Sequence, residues 1–147
     1  MSQHTLTRTA NATAAARPAA RRRSTNIALW VLQVLVAISF VFASSGKLGG
    51  DPRAVESFNE MGGDWFRYLI GALELAGGIA LLIPLLSGLA GLAFVGLMVG
   101  ATIVQATVFD GEMLAAPLVT LVFVAIIAWA RRDRTAQLFA LMRNGAR

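Results

Sequence analysis

Four apolar runs dominate the chain: Ile27–Ser45, Phe66–Leu86, Ser87–Phe109 and Met113–Ala130. At about 1.5 Å of rise per helical residue, runs of about 18 to 23 residues reach across a hydrocarbon core of about 30 Å. A soluble helical bundle needs a polar face on each helix. Beyond Gln33, Glu74, Gln105 and scattered Ser and Thr, these runs offer little of one. The pattern predicts an all-α fold, a four-helix transmembrane bundle. Between the first two runs, Asp51-Pro52 supplies an N-cap acid and a proline for a first helical turn. Val55, Phe58 and Met61 then recur every third residue, Glu56 and Glu60 make a charged face, and Gly62-Gly63 closes the segment. A short amphipathic outer-loop helix is expected there, as a lid over a pocket or as a plain connector. The domain plan is a disordered basic tail over residues 1–25, a four-span membrane domain over 26–131 and a C-terminal tail over 132–147.

Helical spacing sorts the spans into faces. In the second span Gly71, Glu74, Gly77 and Gly78 fall three or four residues apart, so a carboxylate sits on a stripe of minimal side chains that lets a neighbouring helix come close. In the first, Gln33, Ala37, Phe40, Ser44 and Lys47 share one face. Gly96 and Gly100 form a small-xxx-small pattern in the third span and predict helix packing; Thr102 and Gln105 lie on another face. The fourth contributes Thr120, and Pro117 is expected to free a carbonyl one turn earlier. Gln33, Gln105 and Thr120 read first as interhelical hydrogen-bonding groups.

Glu74 stands out among these residues. A carboxylate at the centre of a membrane helix costs about 2.5 to 3.5 kcal/mol on insertion scales, so it needs a partner, a proton or a wet cavity. Lys47 is the nearest candidate partner in the pattern. Counting from the start of the apolar run puts Glu74 about 12 Å along its helix, a distance that the lysine stem covers only in part. The pair either locks the bundle or lines a pocket for a polar ring or headgroup.

Composition and charge add orientation. The chain is 56% hydrophobic and 14% charged, with a mean hydropathy of +0.65, whereas soluble domains carry about 25% charged residues. Arg8, Arg17, Arg21, Arg22 and Arg23 precede the spans, and Arg131, Arg132, Arg134, Arg143 and Arg147 follow them. Acidic residues gather between spans one and two and between spans three and four. Both termini are therefore expected in the cytoplasm, in a multi-pass membrane protein. Trp30 and Trp129 are expected at the inner interface and Trp65 at the outer one. The net charge of +5 flanks the spans instead of forming an aromatic-interleaved surface, so it reads as a topology determinant and not as a nucleic-acid site.

The chain has no cysteine and a single histidine, His4. Disulfides, thiolate metal sites and a dithiol relay are excluded, and haem or zinc ligation is poorly supplied. No catalytic residue, metal ligand or covalently bound cofactor is expected. If redox chemistry is involved, a partner or a diffusible quinone carries the electrons.

The first span ending in Ser44-Ser45-Gly46-Lys47, the outer segment with Phe58, and Gly71-Ala72-Leu73-Glu74-Leu75-Ala76-Gly77-Gly78 in the second span resemble the DoxX-like membrane proteins, over about residues 27 to 130. That resemblance implies a small bacterial four-helix protein. Some members are subunits of thiosulfate:quinone oxidoreductase or assemble with thiol-transfer and superoxide-detoxifying enzymes; distant vertebrate relatives are receptor-assembly factors. Residue by residue it carries over to Gly46, Lys47, Glu74, Gly77 and Gly78. Two function classes follow. One is a non-catalytic membrane subunit or anchor of a quinone-linked redox complex, with a pocket near Glu74, Lys47 and Gln105 for a quinone or lipid. The other is a small carrier in which Glu74 exchanges a proton, and an assembly factor is a third class. Expected partners are the bilayer, oxidoreductase proteins and a second copy of the chain.

Overall fold

The computed structural model describes residues 3–145, with side chains from Arg23 to Gly145. It contains six helices: α1 (Gln3–Gly49), α2 (Pro52–Asn59), α3 (Asp64–Leu82), α4 (Ser87–Thr107), α5 (Ala115–Ala130) and α6 (Arg132–Gly145). The chain divides into two compact units, residues 1–31 and 32–147. The first is a helical stretch, and all packing described below is internal to the second.

The all-α, membrane-spanning expectation holds. Arg23–Gly49 of α1, together with α3 and α4, is long and apolar enough to cross a bilayer, and α5 makes a fourth span when joined to α6 across a 57° bend. The outward faces are apolar: Leu35, Ile38 and Phe42 on α1, Leu73 and Ile79 on α3, and Val119, Val122 and Ile126 on α5 are exposed. Lipid is the solvent such faces require. Inside, Val36, Phe40, Leu81, Phe94, Met98, Val124 and Ile127 form the core, with the Phe40 and Phe94 rings stacked 3.8 Å apart.

Helical backbone begins at Gln3; the segment is rich in alanine, the strongest helix former. The side chains of residues 1–22, with most of the N-terminal arginines and His4, lie outside the described residues, as do Ala146 and Arg147. The segment after the last span carries a formed helix, α6, seated against α4 where Gly88 leaves no room for a side chain beside Thr135 and the Arg131 carbonyl. One expectation is corrected here. Pro117 frees no carbonyl, because α5 starts at Ala115 and the proline falls in its first turn, where backbone N–H groups have no intrahelical acceptor in any case.

The α2 expectation is met in detail. Asp51 accepts a hydrogen bond from the Arg53 backbone N–H at 2.9 Å, and Pro52 occupies the first turn. Gly62 and Gly63, at φ 146° and 77°, turn the chain into α3 in a region that L side chains rarely adopt. Phe58 is buried against Phe66, with ring centroids 5.8 Å apart.

Helices α1 and α3 cap each other. Carbonyls in the last turn of a helix have no intrahelical donor, and in lipid no water replaces one. Gln33 of α1 donates its side-chain N–H to the Leu81 carbonyl at the end of α3, at 2.8 Å. At the opposite end, Arg67 of α3 donates to the Lys47 carbonyl near the end of α1. The Gln33 amide oxygen in turn accepts from Arg131 Nε at 2.8 Å, so Gln33 ties α1 and α3 to the C-cap of α5. Gln33 is therefore an interhelical bonding group, about four turns along α1 from Lys47.

A membrane cavity beside a buried ion pair

Lys47 Nζ donates to Glu74 Oε2 at 2.8 Å, with side-chain exposures of 19% and 7%. The lysine reaches Glu74 because the stagger of the helices makes the gap shorter than the count along α3 suggests. A Cβ placed on Gly71 would lie 3.2 Å from Lys47 Cβ and 3.0 Å from Leu48 Cγ, which puts the end of α1 level with Gly71. Glu74 is only three residues further, about 4.5 Å of rise. The first turns of α3 project past α1, so a count from the start of the apolar run overstates the gap. Glycine makes this approach geometrically available.

The same stripe continues inward. A Cβ at Gly78 would sit 3.2 Å from Val41 and 3.3 Å from the Ala37 carbonyl, and one at Gly77 would lie 2.5 Å from Phe94 Cζ. Gly71, Gly77 and Gly78 are thus close-approach positions. Gly46, Gly96 and Gly100 are not. Gly46 faces Asp51 at an ordinary 3.7 Å, and nothing lies within 4 Å of a Cβ at Gly96 or Gly100. Among the described residues no helix covers the Gly96–Gly100 stripe, which lines a cavity.

That cavity, of about 550 Å³, lies between α2, the first half of α3 and the second half of α4. Lys47 and Glu74 form one wall, Gly96, Gly100 and Gln105 another, and Phe58 and Ser57 of α2 close it from the loop side. Small-molecule sites typically measure about 300–1,000 Å³ and are mainly apolar with a few convergent polar groups. Gln105 contributes such a group: its Oε1 is buried and accepts no hydrogen bond. The expected interhelical partner for Gln105 is absent among the described residues, and the oxygen is available to a ligand.

Thr102 and Thr120 do not join the site. Each hydroxyl donates to its own helix, Thr102 to the Met98 carbonyl at 2.7 Å and Thr120 to Ala116 at 2.9 Å, which satisfies a hydroxyl in lipid without a second helix. Ser44 does likewise with Val41, at 2.8 Å. One residue escaped the sequence reading. Arg67, 3% exposed, is held by Asp64 Oδ1 through Nε at 3.0 Å and Nη2 at 2.7 Å while it caps α1 at Lys47. It positions the residue that pairs with Glu74. Arg67 is the second residue of its apolar run, where a charge near a span end draws less notice than one at the centre.

The model of the DoxX-like family matches residues 31–128, two thirds of the chain. The chain belongs to the DoxX-like family. The family match runs from α1 through α5, so it encloses Lys47, Glu74, the capping residues Gln33 and Arg67, and most of the cavity wall, and it ends before α6. No curated protein and no solved structure matches the chain.

Proposed function

We propose that this DoxX-like protein is a non-catalytic membrane subunit that holds an amphipathic ligand, a quinone or lipid, in the cavity beside Lys47–Glu74 and docks oxidoreductase partners to the bilayer. The observation that carries the proposal is the cavity itself: membrane-embedded, largely apolar, and lined by one buried acceptor without a partner, Gln105 Oε1, next to an ion pair. Such a site binds and orients. In this reading the chemistry falls to the partner. We place the protein in a bacterial plasma membrane with both termini cytoplasmic. A membrane-impermeant thiol reagent added to intact cells should then label Asn59→Cys and leave Ala136→Cys untouched; labelling at Ala136 from outside contradicts the orientation.

A proton-coupled carrier is the second reading, favoured by the position of Glu74 on the cavity wall. The two separate on Glu74→Gln, which keeps the shape and an acceptor for Lys47 but cannot exchange a proton. A binding subunit carrying this substitution should still copurify with the same oxidoreductase partners from native membrane, with proton flux in proteoliposomes equal to that of the parent. Substrate-dependent proton uptake by the purified parent, lost in Glu74→Gln, establishes the carrier instead.

A further inference from the structure

The charges are divided between the two ends of the fold. Every acidic residue except Asp133 lies on the cavity wall or in the segments that border the cavity end, from Asp51 to Asp64 and at Asp110 and Glu112, against Lys47, Arg53 and Arg67 as the only basic residues there. Lys47 and Arg67 are already paired, with Glu74 and Asp64. An excess of one sign around a low-dielectric cleft concentrates ions of the other sign at its mouth. Within the cavity several acceptors are left over: Gln105 Oε1 has no donor, Glu74 uses only Oε2 on Lys47, and Glu112 stands at the exposed rim. The rings of Phe58, Phe66 and Phe109 and the thioethers of Met61, Met98 and Met113 make up much of the remaining wall. Aromatic faces attract cations, and methionine adapts to ligands of irregular shape. Lys47 is the one cationic side chain lining the cavity, and it is paired with Glu74.

We propose that the cavity selects lipophilic organic cations, amphiphiles whose positive charge is carried by a protonated amine or an onium centre. This rests on the reading of the cavity as a ligand site and adds the sign of the ligand's charge. The cation enters through the acidic loop end, sets its apolar groups against the phenylalanines and methionines, and brings its charge towards Glu74 and Gln105 Oε1. Lys47 competes with the ligand for Glu74. Its removal should therefore strengthen binding, the opposite of what a purely structural lysine would do.

The test uses the full chain in nanodiscs of neutral lipid, with tetraphenylphosphonium as the cationic probe and decylubiquinone as the neutral one, each measured by equilibrium dialysis. Tetraphenylphosphonium should bind saturably and at least tenfold more tightly than decylubiquinone. Glu74→Gln should weaken it by at least tenfold, and Glu112→Gln, at an exposed rim position where folding is not at stake, by about threefold; Lys47→Met should tighten it. Binding of decylubiquinone with none of tetraphenylphosphonium overturns the cation assignment and leaves the cavity a ligand site. Binding of neither probe overturns both. Tetraphenylphosphonium binding that Glu74→Gln and Glu112→Gln leave unchanged also overturns the proposal, because the charge would then play no part.

Discussion

Glu74→Ala should be the most destabilising single substitution of a polar residue in the bundle. Removing the carboxylate leaves the Lys47 ammonium in an apolar setting without its acceptor, and breaking a buried pair from one side costs about 3–5 kcal/mol. The lower end of that range applies, since the Lys47 side chain keeps 19% of its exposure. Glu74→Gln keeps an oxygen for the lysine and should cost about 1 kcal/mol, the size of one exchanged hydrogen bond. The double variant Lys47→Met/Glu74→Leu removes both charges together and should recover most of the loss, a non-additivity that residues in direct contact show. Thermal unfolding in a mild detergent measures all three. An unfolding temperature for Glu74→Ala equal to that of the parent would mean that the pair contributes nothing to the fold.

Gly77→Ala should destabilise by about 1–3 kcal/mol, the usual cost of forcing extra volume into a packed core. The new methyl carbon would lie 2.5 Å from Phe94 Cζ and 3.0 Å from two further ring atoms. Phe94 is 2% exposed and stacked on Phe40, so the ring has nowhere to retreat. Gly96→Ala, one of the open positions, should stay within about 0.5 kcal/mol of the parent. Equal effects at the two glycines in the same unfolding assay would contradict the division into packed and cavity-facing positions.

The sequence made that division only half visible. Apolar length gave the spans, because lipid tolerates little else over such a distance, and Asp51-Pro52 followed by Gly62-Gly63 gave α2, because caps and glycine turns are local chemistry. The face shared by Gln33, Ala37, Phe40, Ser44 and Lys47 was legible from 3.6-residue periodicity alone, and Gln33, Ala37, Phe40 and Ser44 are indeed buried. Which glycines pack was not legible. Gly77 and Gly96 occupy similar contexts in their helices, and only the relative placement of α1, α3 and α4 leaves one against a ring and the other against empty space. The Lys47–Glu74 contact was foreseen as a pairing of types and misjudged in reach, since stagger between helices is a tertiary property. Thr102 and Thr120 were ambiguous for a related reason: a threonine in lipid can satisfy itself on its own helix, and nothing in the residue type tells which choice it makes. Arg67 was missed because its role lies in the far end of α1, twenty residues away in sequence. Helix α6 was passed over because its apolar residues are interrupted by arginines, and its docking depends on Gly88 in another span.

The proposed role depends above all on whether the space beside Gly100 holds a ligand in the membrane. Gly100→Phe tests this directly, because a Cβ there meets none of the described residues within 4 Å and Gly100 lines the cavity that the ring would enter. Native mass spectrometry of the parent and of Gly100→Phe, each purified from its own membrane in mild detergent, should find a bound amphiphile on the parent that is absent from the variant, with both proteins folded alike. A parent that carries no small molecule, or a variant that carries the same one to the same extent, would contradict a ligand-binding function for this cavity.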